Sequence, residues 1–233
     1  QVQVMETYSG DTDKKQLSLI THIEVESADK HDANALLPAL KNTDKRDMSP
    51  KELLADSLYG SDDNVQKAKQ DYQTDVLAPV MGTKNKGFGL EQFTLDSNNQ
   101  ITLCPQGNKP ISVKKRNDRF IAKFSRSDCG ACPQLINCPV SKYKKAYTYY
   151  YNKKMISISK RRQNEDTASF RNVYRYRAGI EATMSQFDRL TGVKHLRVRG
   201  LKAVSCAATL KALGLNILRS ARFIYDQKVA FAA

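Results

Sequence analysis

Leu53-Leu54-Ala55-Asp56-Ser57-Leu58-Tyr59-Gly60 is a short apolar run that ends on a carboxylate and breaks into a small-residue turn. Lys51 to Ala55 reads as a strand, and Asp56 then stands at its end, where the chain leaves the sheet. Far downstream, Tyr174, Arg177 and Glu181 fall at i, i+3 and i+7 of a helical pattern. At about 100° per residue, a phenol, a guanidinium and a carboxylate share one stripe of that helix. Phe170, Val173, Ile180, Met184 and Phe187 form an apolar stripe beside them that packs the helix on a core. A plain reading accounts for part of this: Arg177 and Glu181, four apart, make an intrahelical ion pair of about 0.2–0.5 kcal/mol.

Around these two points the chain alternates strands and helices. Val2 and Val4, then a polar Asp11-Thr12-Asp13-Lys14-Lys15 turn, then Leu17, Leu19, Ile23 and Val25 predict two antiparallel strands. A short helix is expected from Asp32, as its cap, to Leu40. Ser61 with Asp62 and Asp63 marks the start of a helix reaching about Tyr72, and Asp75 to Val80 reads as another strand. From Gly82 to about Lys160 the texture changes to short strands and turns, with strands expected at Glu91–Leu95, Ile101–Leu103, Ile111–Lys115 and Arg119–Phe124. The helical pattern returns near Asn164 and stops at Thr191-Gly192, where glycine suits a left-handed cap. A last amphipathic helix covers Leu201 to about Ile224, with Cys206 as a small core residue. The alternation indicates a mixed sheet covered by helices.

Of 233 residues, 38 are Lys or Arg and 24 are Asp or Glu, a net charge of +14. The charge is uneven: residues 1–80 carry −6 and the remainder +20. Clusters such as Lys114, Lys115, Arg116 and Arg119, or Lys194, Arg197, Arg199 and Lys202, fit a polyanion. Tyr143, Tyr147, Tyr149, Tyr150 and Tyr151 lie among them, available either to pack on sugars and bases or to be buried. No run is read as long and apolar enough to span a membrane. Cys129-x2-Cys132-x5-Cys138, preceded by Cys104, is a candidate four-thiolate zinc site; reduced thiols or a redox pair fit the same spacing. His22, His31 and His195 are too scattered to form another metal site.

Tyr-x2-Arg-x3-Glu resembles the signature around the catalytic Glu of DDE transposases from bacterial insertion sequences. In that family the second catalytic Asp ends a core strand and precedes a small residue, Tyr and Gly, as Asp56 does. Cys132-Pro133 and Cys138-Pro139 look similar to the family's cysteine pattern, and Arg197-Val198-Arg199-Gly200 adds to a resemblance running from about Val2 to Arg219. One position departs: the family usually has Lys seven residues after the Glu, where this chain has Asp188, with Arg189 next.

The resemblance implies an α/β (α+β) fold: an RNase H-like mixed sheet with flanking helices, formed by 1–81 and 161–233 and interrupted by a basic, β-rich, cysteine-containing insertion at 82–160. It implies Asp56 and Glu181 as catalytic carboxylates. Mg²⁺ prefers such oxygens, so they are expected to ligate a two-metal site. Tyr174, Arg177, Arg189, Lys194, Arg197 and Arg199 are expected to contact double-stranded DNA, both transposon ends and target, with homodimerisation on the DNA. The implied setting is the bacterial cytoplasm, at the nucleoid. The family's third carboxylate lies on a strand upstream of the segment resembling Val2 to Thr7. The chain therefore reads as a C-terminal fragment, with an incomplete magnesium site, that binds DNA without cutting it alone. Asp11 and Asp13 are poor substitutes. A catalytically silent DNA-binding module and a metal-dependent nuclease of the same fold are the alternatives.

Overall fold

A computed structural model of the chain describes residues 1–10, 16–27, 29–82 and 87–232. Asp11 and Asp13, with the turn expected around them, lie outside the described residues. About 49% of the described residues are helical, and the strands form small sheets. The chain divides into two compact units, one made of 1–78 with 168–233 and the other of 79–167.

In the first unit β1 (Val2–Glu6) pairs antiparallel with β2 (Ile20–Val25), Val4 opposite Ile23. α1 (Leu36–Asp44) follows a 3-10 turn at Asp32–Asn34 whose cap is His31, not Asp32: its ring accepts from the Ala33 amide. Pro38 is tolerated because it lies in the first turn of α1, where no intrahelical donor is needed. β3 (Glu52–Leu54) runs parallel to β4 (Asp75–Leu77), joined by α2 (Asp62–Tyr72). The predicted cap of α2 forms: Ser61 Oγ accepts from the Asn64 amide at 3.2 Å, with Asp62 and Asp63 in the first turn. Instead of one continuous mixed sheet, the described strands of this unit make two separate pairs, β1 with β2 and β3 with β4.

Two apolar clusters hold this unit. Leu36, Leu40, Ala68, Val76 and Ala78 gather between α1, α2 and β4. Ile20, Phe187, Val193, Ala208, Ala212 and Leu215 join β2 to the C-terminal helices, with Val4, Ile23 and Val25 packed against them. Those helices are α6 (Gly179–Thr191) and α7 (Leu201–Ala232), preceded in the chain by α5 (Ala168–Tyr174). Gly192 ends α6 at φ +61, the left-handed cap expected from the sequence. Asn216 of α7 ties the helix to the β2 backbone, donating to the Ile20 carbonyl at 2.8 Å and accepting from its amide at 2.9 Å.

α7 corrects two expectations. Cys206 is exposed, because the buried face of the helix is Ala208, Ala212 and Leu215. By length and composition Leu201–Ala230 also passes for a membrane-spanning helix, contrary to the sequence reading. Its bonds to β2 tie it instead to the folded unit.

The second unit centres on a four-stranded antiparallel sheet in the order β7 (Ser112–Arg116), β8 (Arg119–Phe124), β10 (Tyr147–Asn152), β9 (Ser141–Lys142). A hairpin of β5 (Thr94–Leu95) and β6 (Ile101–Leu103) and the helices α3 (Arg126–Gly130) and α4 (Lys153–Glu165) complete it. Phe120, Ala122 and Phe124 alternate inward on β8 opposite Tyr151, Tyr149 and Tyr147 of β10. With Leu90, Phe93, Ile101, Cys129 and Ile156 they form its core. Three of the five tyrosines are therefore core residues, leaving only Tyr143 and Tyr150 exposed.

Candidate functional site

Asp56 sits just past β3. The Ala55 amide still donates to Leu77 O at 3.0 Å, so the parallel ladder carries the chain to the residue before Asp56. Asp56 then caps a 3-10 turn at Ser57–Tyr59, accepting from the Ser57 amide. The side chain is 47% exposed. The local sequence explains this: Leu53 and Ala55 are held by the core, while Ser57 and Gly60 let the backbone turn.

The expected single helix through Tyr174, Arg177 and Glu181 is broken. α5 ends at Tyr174, Arg175–Ala178 is a 3-10 turn, and α6 begins at Gly179. Arg177 and Glu181 are nevertheless one turn apart, and Arg177 Nη1 donates to Glu181 Oε1 at 3.0 Å. Its other terminal nitrogen, Nη2, donates to Asp56 Oδ2 at 3.2 Å. One guanidinium thus holds two carboxylates, one from β3's end and one from the first turn of α6, so that like charges share a counter-ion. Glu181 is 67% exposed and Arg177 28%, an arrangement open to solvent. Tyr174 stacks on Phe170 with ring centroids 5.2 Å apart.

Close by, Tyr59 donates to Gln3 Oε1 at 2.7 Å. Burial raises its pKa first, and the negative fields of Asp32, Asp56 and Glu26 add to the rise.

The other DNA-contact candidates are all exposed: Arg189 in the last turn of α6, and Lys194, Arg197 and Arg199 beyond it. Asp188, which stands where Lys was expected, has a local role. It accepts from the Lys194 amide at 3.1 Å and pairs with Lys194 Nζ at 3.4 Å. That amide bond, ahead of the Lys194 charge, lowers the pKa of Asp188.

Sequence reasoning missed a second polar cluster. Arg219 donates to Glu6 Oε2 at 3.2 Å, to Ser18 O, to Thr183 Oγ1 at 2.7 Å and to Gln186 Oε1 at 2.8 Å; Thr183 also donates to Glu6. These residues border a cleft of about 470 Å³ that Tyr8, Tyr176 and Arg222 also line. No spacing rule finds a pair 213 residues apart. The one available signal was a long polar side chain on the core-facing side of α7.

In the second unit Cys104, Cys129, Cys132 and Cys138 converge on one apolar cavity of about 20 Å³, with Phe88, Phe124, Leu135 and Val140 around them. All are reduced. Burial, and then the neighbouring cysteines, push the Cys129 thiol up to about 11, which favours its neutral form. Among the described residues no group of three or more His, Cys, Asp or Glu is arranged to hold a metal ion. The zinc expectation is therefore not supported by the arrangement beyond the convergence of the four thiols. The Asp56–Glu181 pair offers hard oxygen donors of the kind that suit Mg²⁺, as two ligands rather than three.

Neither a curated protein nor a solved structure matches this chain. A family pattern described as Transposase DDE domain matches residues 103–221, which include Tyr174, Arg177, Glu181 and the four cysteines, whereas Asp56 lies before the matched stretch. The match spans just over half of the 233 residues, and the chain belongs to the Transposase DDE domain family.

Proposed function

We propose that this chain belongs to a DDE transposase with an RNase H-like core, in which Asp56 and Glu181 ligate divalent metal while the basic residues after Glu181 engage duplex DNA. The observation that carries the reading is the bridge Asp56–Arg177–Glu181, which joins residues 121 positions apart to an acid one turn away. A divalent metal, when bound, supplies the Lewis acidity that phosphodiester cleavage and joining need. The chain's own residues do the rest. Asp56 and Glu181 present oxygen ligands, and Arg177 offsets their mutual repulsion. With two donor nitrogens in a planar fork, Arg177 is also suited to holding a DNA phosphate. Tyr174 lies one turn before it, within the same segment.

Two carboxylates are fewer than a metal pair ordinarily needs, and no third acid joins them among the described residues. The proposal therefore has this chain bind DNA without turning it over. A silent DNA-binding module is the second reading, favoured by that count and by the 67% exposure of Glu181. The expectation of a homodimer has a physical basis in α7, whose solvent face carries Leu210, Leu213, Ile217 and Ile224 at coiled-coil spacing.

Salt dependence of duplex binding tests the DNA reading. Each neutralised phosphate contributes about −0.9 to the logarithmic slope. Arg197→Ala with Arg199→Ala should reduce the slope by about 2 if both contact phosphate. An unchanged slope would remove the segment from the interface.

A further inference from the structure

We infer that the outer face of the four-stranded sheet is a binding surface for single-stranded DNA, separate from the Asp56–Glu181 pair and independent of any role in catalysis. The register assigns its residues. Phe120, Ala122 and Phe124 point into the core with Tyr147, Tyr149 and Tyr151, so the alternate positions face away from it. On β7 these are Ser112, Lys114 and Arg116; on β8, Arg119, Ile121 and Lys123; on β10, Tyr150 and Asn152, with Thr148 on the same side but buried. None of the nine is acidic and four are cationic, whereas a merely solvated face usually mixes both signs.

Tyr150 lies at the middle of this face, directly opposite Ile121. Arg119 and Lys123 stand on the two diagonals, about 7–8 Å away and within reach of long side chains. Tyr150 is 45% exposed and Tyr143, 50% exposed, meets it edge-on at 6.3 Å between centroids. Two exposed rings with cations on either side provide both parts of single-strand recognition: faces for unstacked bases and positive charge for the backbone. A duplex satisfies only the second, since its bases are already stacked. An acidic peptide would also need only the charges, leaving the exposed tyrosine pair without a role.

The chain contains no tryptophan, so Tyr150→Trp introduces a unique fluorophore. In the 233-residue chain, oligo-dT should quench that fluorescence, and a blunt duplex of equal length should not. Tyr143→Ala with Tyr150→Ala should weaken oligo-dT binding about tenfold while leaving duplex affinity within twofold, and Tyr143→Phe with Tyr150→Phe should restore it. Lys114→Ala with Lys123→Ala should flatten the single-strand salt slope by about 1.4. All these positions are exposed, and the Phe pair controls for folding. Equal losses on single strand and duplex, no loss on either, or displacement of oligo-dT by polyglutamate as readily as by unlabelled oligo-dT would each overturn the inference.

Discussion

Arg177 and Arg219 each hold carboxylates in the same unit, yet their surroundings assign them different energetic roles. Arg219 is 14% exposed and its partner Glu6 11%, so Arg219→Ala leaves an acid buried without its cation and Thr183 and Gln186 without a shared donor. The expected loss is about 3–5 kcal/mol, read as a lower urea midpoint at an unchanged slope. Arg177→Ala removes ion pairs to acids 47% and 67% exposed, and water screens most of that interaction. Its expected cost is below about 1 kcal/mol. Comparable losses from the two substitutions would mean that Arg177 is structural rather than poised for a ligand. The Arg177–Glu181 pair was legible from its i, i+4 spacing, and Asp56 from its strand-end context. Glu6–Arg219 was not, because tertiary packing alone brings those residues together.

Among the elements, sequence periodicity located α2, β8 and the Gly192 cap with little error, because each has a local signal: a Ser cap with first-turn acids, strict alternation, and a glycine at positive φ. It missed β10 and most of α4. The tyrosine run was open to both a surface and a core reading, and only pairing with β8 decides which rings are inside. Asn152 was an unused signal, since its side chain caps α4 by accepting from the Met155 amide at 2.9 Å. The break between α5 and α6 was also hidden: Gly179 alone does not announce a 3-10 turn before it.

Burial of β10 has a measurable consequence. Tyr149 is pushed up to about 12, chiefly by desolvation, with Glu91 adding to the rise. A raised pKa means that its contribution to stability is complete below about pH 10 and is lost as pH rises toward 12. Tyr149→Phe should flatten the alkaline decline of stability in that window, followed by urea denaturation at several pH values; an unchanged decline would assign it to other groups. The four converging cysteines make a second element-level test. Protein purified without chelator should contain one zinc per chain if the thiols form a site, and Cys132→Ser should lose it. Metal-free protein of full stability would leave four free thiols, only that of Cys129 buried, as the final description.

At the scale of the whole molecule, the two units carry different chemistry. The carboxylates proposed for metal lie in the unit built from 1–78 and 168–233, whereas the cysteines and the cationic sheet face lie in 79–167. The net charge of +14 opposes self-association in the absence of DNA, and neutralisation by phosphate removes that barrier. What unites the proposed site is the meeting of Asp56 and Glu181 at Arg177, so metal affinity is the property to measure. Binding of Mn²⁺ by the 233-residue chain, followed through the electron paramagnetic resonance signal of the free ion, should weaken at least tenfold in both Asp56→Asn and Glu181→Gln. Wild-type affinity in either variant would contradict a shared metal site and leave these acids as an ordinary surface ion-pair cluster.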